Sequence, residues 1–76
     1  MEQLIRFIVQ QLVDQPEDVR VNKVESSNVT VLELSVAKSD IGKVIGRQGR
    51  NAQALRTILN AVSTKDKKRA VLEIIG

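Results

Sequence analysis

Apolar residues in the N-terminal stretch recur at the spacing of one helical face. Leu4, Ile5, Ile8, Val9 and Leu12 fall together, and Phe7 and Val13 widen the stripe. A helix packed on a core is therefore expected over Glu2–Val13. Gln15-Pro16 closes it, because the residue ahead of proline avoids the helical region. Its polar side lacks the Lys/Arg enrichment of a helix lying on a membrane.

The period then shortens to two. Val19 to Glu25 reads as a strand, with Val19 and Val21 alternating against Arg20 and Asn22. In Val29–Val36, Thr30, Leu32, Leu34 and Val36 share one face and Val29, Val31, Glu33 and Ser35 the other. The turn cluster Ser26-Ser27-Asn28 between them makes an antiparallel hairpin.

Helical spacing returns after the hairpin. Ser39 or Asp40 can cap a short helix that runs to about Ile45. A longer helix follows Gly49, with Ala52, Leu55, Ile58, Leu59 and Val62 on one face. Ser63 to Lys68 (STKDKK) reads as a charged loop. Arg69–Ile75 reads as a last strand, with Ala70, Leu72 and Ile74 opposed to Val71, Glu73 and Ile75. The order is helix, strand, strand, helix, helix, strand. An α+β fold, one three-stranded sheet with three helices on one face, buries each apolar set. With 76 residues, one domain over 1–76 is expected.

Composition narrows the chemistry. No cysteine or histidine is present, which removes disulfides and thiol chemistry and disfavours a transition-metal site. No Ser/His/Asp or Cys/His set and no placed acid/base pair points to an enzyme, and no cofactor is implied. No apolar run approaches the roughly 20 residues of a membrane span, and Glu2 and Arg6 argue against a signal peptide. A cytoplasmic protein without membrane association is expected.

Charge is divided unevenly. Residues 1–37 carry Arg6, Arg20 and Lys23 against Glu2, Asp14, Glu17, Asp18, Glu25 and Glu33, a net of −3. Residues 38–76 hold nine bases and three acids (Asp40, Asp66, Glu73), a net of +6. A local positive field attracts polyanions. One Phe and no Tyr or Trp disfavour recognition of bases by aromatic stacking.

The basic half contains IGKVIGRQGRNAQALRTIL, with three of the four glycines. A helix–helix connector needs one glycine at most. Gly46 and Gly49 can take positive φ and admit a second backbone. The first N–H groups of the following helix would meet an anion directly. Arg47 and Gln48 would add side-chain contacts to phosphate or sugar. Arg50 sits unfavourably for the helix dipole, and Lys43 adds to the field. Gly42 inside the short helix costs about 0.5–1 kcal/mol relative to alanine, so a ligand backbone or the next helix is expected to approach it. Arg56 and the run Lys65, Lys67, Lys68, Arg69 read as solvated charge. The glycine spacing matches neither a P-loop nor a dinucleotide fingerprint.

The stretch resembles the KH-domain signature, an Ile-Gly-x-x-Gly loop joining two helices, and the element order resembles the type II, prokaryotic arrangement. The resemblance spans Glu2 to Ile75. It implies a clamp on the backbone of single-stranded RNA made by Gly46, Arg47, Gln48 and Gly49. It places Ile41, Gly42, Val44 and Ile45 along one side of a groove, with the hairpin's edge strand opposite. It also implies a homodimer or pairing with a larger KH-domain partner. The expected function is non-catalytic binding of single-stranded RNA with low sequence specificity, as a post-transcriptional regulator or RNA chaperone. The alternative is a KH-shaped module that works through protein–protein contacts.

Overall fold

The computed structural model describes residues 2–63 and 68–75. Helix α1 spans Glu2–Leu12, and a 3-10 turn over Pro16–Asp18 leads into strand β1, Arg20–Glu25. Strand β2 is Val29–Ser35. A second 3-10 turn, Lys38–Asp40, runs straight into helix α2, Ile41–Ile45. A third, Arg47–Gly49, separates α2 from helix α3, Arg50–Ser63, and strand β3 is Arg69–Ile75. Residues 64–67 of the expected charged loop lie outside the described residues.

Strand β2 is central. Its antiparallel register with β1 runs from Arg20 opposite Ser35 to Glu25 opposite Thr30. It pairs in parallel with β3, from Val29 opposite Arg69 to Ser35 opposite Ile75. A parallel pair needs a long crossover, and α2 with α3 supplies it. Helix α1 packs on β1 and α3 on β3, while α2 contacts both helices. The α+β fold expected from periodicity is the one observed.

The core lies between the helices and one sheet face. Thr30, Leu32 and Leu34 of β2 and Ala70 and Leu72 of β3 are buried there. Leu32, Leu34, Ala70 and Leu72 cluster with Ile5 and Val9 of α1, Val44 of α2, and Leu55 and Leu59 of α3, and Ala52 of α3 is buried as well. On the opposite face Val24, Val31 and Val71 form one cross-strand row, of which Val24 is exposed.

Three local expectations change. The first strand begins after Val19, because the Val19 N–H is taken by the Pro16 carbonyl at 3.2 Å. Leu4 and Phe7 leave the core: they are 42% and 60% exposed. Helix α1 rests on a single sheet layer, which buries only the side carrying Ile5 and Val9, and Leu4 lies about 100° round from Ile5.

Asp40 is the third change. It precedes α2, but its side chain makes no cap hydrogen bond to that helix. The preceding 3-10 turn already supplies carbonyl partners there, since Ile41 N–H donates to Lys38 O. The Asp40 carboxylate, 1% exposed, instead accepts the main-chain N–H of Asp14 at 3.2 Å and of Gln15 at 3.0 Å. It thereby ties the end of α1 to the start of α2. Removing it leaves two N–H groups without their charged acceptor, so Asp40→Ala is expected to lower stability by about 2 kcal/mol in urea denaturation.

Candidate nucleic-acid interface

The junction between α2 and α3 turns on three residues with positive φ. Gly46 has φ 76° and ψ 171°, a region that is essentially glycine's alone. Gln48 sits at φ 57° and ψ 26°, the left-handed helical region, which costs a residue with a Cβ about 1–2 kcal/mol. Gly49 has φ 73°. Arg47 between them keeps negative φ. A right-handed residue followed by a left-handed one points successive N–H groups to one side, the geometry of an anion-binding nest.

The donors at this nest differ from the expected ones. Gly46 N–H closes α2 by donating to Gly42 O at 2.8 Å, and Gly49 N–H donates to Gly46 O at 3.1 Å. The glycines therefore supply conformation, and their own amides are used within the turn. Among the described residues, none accepts a hydrogen bond from the N–H of Arg47 or Gln48. Those two amides are the available donors.

Side chains around the turn divide into two groups. Arg47, Gln48 and Arg50 are exposed, and Gly42 and Ile45 also present surface. Ile41 is half-buried against the core. Val44 corrects the expected groove lining: it is fully enclosed between α2 and the core, which removes it from any ligand. The Lys43 ammonium is held by the Asp14 carboxylate and lies 3.8 Å from Asp40. The Asp14 hydrogen bond, the largest cause, raises its pKa above the ordinary lysine range; desolvation opposes it, and the charges of Asp14 and Asp40 add to the rise. Its charge is thus shared with the end of α1.

Among the described residues, no carboxylate lies within ion-pair distance of Arg47, Arg50, Arg56 or Arg69. By contrast, Lys23 and Lys68 both pair with Glu25, at 2.6 and 3.6 Å. Arg56 and Arg69, expected to be dispersed charge, line one cleft of about 240 Å³ between α3 and β3, with Leu59, Asn60 and Leu72. Gly49, Gln53, Arg56 and Asn60 follow one another at spacings of four, three and four, which places them on one helical stripe. The stripe leads from the turn into the cleft. The strand beside α3 is β3, because the parallel crossover returns the chain to the far side of β2. Only the three-dimensional course of that crossover brings Arg56 and Arg69 together.

Gly42 also resolves. A Cβ built there meets nothing within 4 Å, so the next helix does not press on it. A Cβ on Gly46 would lie 2.7 Å from Asn51 Cγ and 2.9 Å from the Asn51 main-chain N. Asn51, which the sequence did not single out, is a structural neighbour of the turn. Its side-chain Nδ2 donates to Lys43 O at 2.8 Å.

A mixed three-stranded sheet in the order helix–strand–strand–helix–helix–strand, with a Gly-x-x-Gly turn between paired helices, defines a KH-like domain of type II. The KhpA/KhpB KH-domain family model matches residues 2–74, and the chain belongs to that family. It is 49% identical to the RNA-binding protein KhpA of Clostridium perfringens over 75 residues, covering 99% of this chain and 100% of the relative. It is 51% identical to the RNA-binding protein KhpA of Listeria monocytogenes, with 99% of each chain covered. A crystal structure of Aquifex aeolicus Era superposes with a TM-score of 0.68 at 15% identity, over 96% of this chain and 28% of that one, a likeness of fold.

The two glycines make opposite predictions. Gly42→Ala relieves a helix-interior glycine in open space and is expected to stabilise by about 0.5–1 kcal/mol. Gly46→Ala meets both forbidden φ and the Asn51 side chain and is expected to destabilise by about 1–3 kcal/mol. Thermal denaturation followed by circular dichroism separates the two.

Proposed function

We propose that this protein binds single-stranded RNA without catalysis, by gripping its phosphate backbone at the turn between α2 and α3. The observation that carries this reading is the pair of unpartnered amides, Arg47 and Gln48, on a nest held by two glycines. The Arg47 guanidinium and Arg50 supply charge at the same place. The strand continues along Gln53 toward Arg56 and Arg69 in the α3–β3 cleft. Gly42 and Ile45 offer the surface against which a backbone or base can rest, with Ile41 partly behind them. Lys43 contributes field more than contact. Two close relatives are named RNA-binding proteins, which supports the same substrate class.

Single strands are favoured because a duplex hides the base edges that a narrow groove receives. Sequence specificity is low, since backbone contacts position and do not specify. One domain binds weakly and in a salt-sensitive way, and two copies on one RNA raise affinity through effective concentration. A dimer meets that need, and we place its action in the cytoplasm as a post-transcriptional regulator or RNA chaperone, as the family resemblance implies. Exposed Leu4 and Phe7 on α1 favour a second reading, a module that also meets a protein partner, either a second copy or a larger KH-domain protein.

Gly49→Asp tests the clamp best. A Cβ there meets nothing within 4 Å, and aspartate is among the few residues that enter positive φ, at a cost of about 1–2 kcal/mol, so a negative charge enters the nest and circular dichroism checks that the fold is kept. It is expected to abolish the mobility shift of a fluorescein-labelled ten-residue oligouridine. Arg47→Gln is expected to reduce the salt dependence, the slope of log K against log salt, by about 0.7. Arg56→Glu with Arg69→Glu is expected to weaken binding as well. A shift unchanged by Gly49→Asp overturns the clamp, whereas a tight oligomer in light scattering with no oligouridine binding by the wild type at low salt would leave the protein-contact reading.

A further inference from the structure

The partner of one carbonyl explains why an amide is left over. In an α-helix each N–H donates to the carbonyl four residues back. Continued by one residue, α2 would join the Arg47 N–H to Lys43 O. That carbonyl is instead taken by Asn51 Nδ2 at 2.8 Å, from the first turn of α3. The orientation of the Asn51 amide follows from the contact, because its oxygen would face an acceptor. Gly46 makes the reach possible, since a Cβ there would lie 2.7 Å from Asn51 Cγ. Its φ of 76° takes the chain out of the helix here, and because glycine enters negative φ as readily, a helical Gly46 would let Arg47 close the next bond if Lys43 O were open.

We propose that Asn51 is the positioning residue of the phosphate clamp: by satisfying the Lys43 carbonyl with its side chain, it keeps the Arg47 N–H free for ligand. The role in RNA binding rests on the function proposed above; the exchange of one hydrogen-bond donor for another does not. Asn51 touches no phosphate in this scheme. A carbonyl at the end of a helix needs a donor, and when Asn51 cannot supply it, the donor that a helix continued by one residue would bring is the amide that the clamp uses. Loss of this side chain therefore tightens one hydrogen bond while weakening the site.

Amide hydrogen exchange of the wild type and Asn51→Ala decides the matter. In the wild type the Arg47 amide is expected to exchange as an unprotected group. In Asn51→Ala its exchange slows, because Lys43 O is now open to it, while the β2 amides keep their protection. Arg47 exchange that stays the same or becomes faster in the variant overturns the inference, as does a protected Arg47 amide in the wild type, which needs no variant. In parallel, affinity for the ten-residue oligouridine is expected to fall about tenfold, the value of one charge-assisted hydrogen bond, with the salt slope unchanged because no cation is lost. A slope that falls with the affinity overturns the positioning role. Slowed Arg47 exchange with no oligouridine binding by the wild type would uphold the donor exchange and reject the RNA-binding function instead.

Discussion

A backbone conformation at Gly46 that side chains exclude sets the geometry of everything nearby. At φ 76° and ψ 171° the chain leaves α2 after one closing bond from Gly46 N–H to Gly42 O and starts α3 four residues later. The turn between them is too short to bond all of its own amides. Two donors remain outward, under the positive end of a 14-residue helix. Asn51 holds the other limb in place through the Lys43 carbonyl. At the opposite end of α2, the Asp40 carboxylate fastens that helix to the N–H groups that follow α1. The short helix is thus fixed at both ends by side chains reaching across from or to other elements, which suits a five-residue helix with little stability of its own.

Electrostatics gives this frame a direction. Three lysines and four arginines behave differently in the fold. Lys23, Lys43 and Lys68 lean on Glu25, Asp14 or Asp40, so part of their field is neutralised locally. Four arginines without carboxylate partners among the described residues lie on the turn, on α3 and at the start of β3. Arginine's planar fork suits phosphate bidentately, and its weaker hydration lowers the cost of contact. The net charge of +6 over residues 38–76 therefore understates the contrast: the arginines at the turn and cleft keep their charge available, while paired lysines spend theirs on the scaffold.

The fold was legible because its signals are periodic. Leu32, Leu34 and Val36 alternate with Glu33 and Ser35, and Ala52, Leu55 and Leu59 keep helical spacing, so element types and order followed from pattern alone. The glycine turn was legible because glycine names an unusual backbone. What stayed hidden depends on approach in space. Nothing local distinguishes Leu4 and Phe7 from Ile5 and Val9 on a broad apolar stripe; only the width of the sheet does. Val44 looks like a groove residue beside Ile45, yet one faces the core and the other does not. Asp40 has the composition of a helix cap, and its use by Asp14 and Gln15 is a contact across more than 20 residues. Arg56 and Arg69 lie 13 positions apart, and the cleft that joins them exists only after the crossover closes. Asn51 carries no motif at all, although an amide two residues after a Gly-x-x-Gly could have been considered as a partner for the preceding helix's open carbonyls.

The central claim is that two main-chain amides, made available by backbone geometry, receive the phosphate of a single strand. Nitrogen-15 NMR during titration with oligouridine at low salt tests it directly. The Arg47 and Gln48 amide resonances are expected to move downfield and saturate together, ahead of those on β1 and α1. Resonances at this turn that stay in place while another surface responds to the RNA would contradict it.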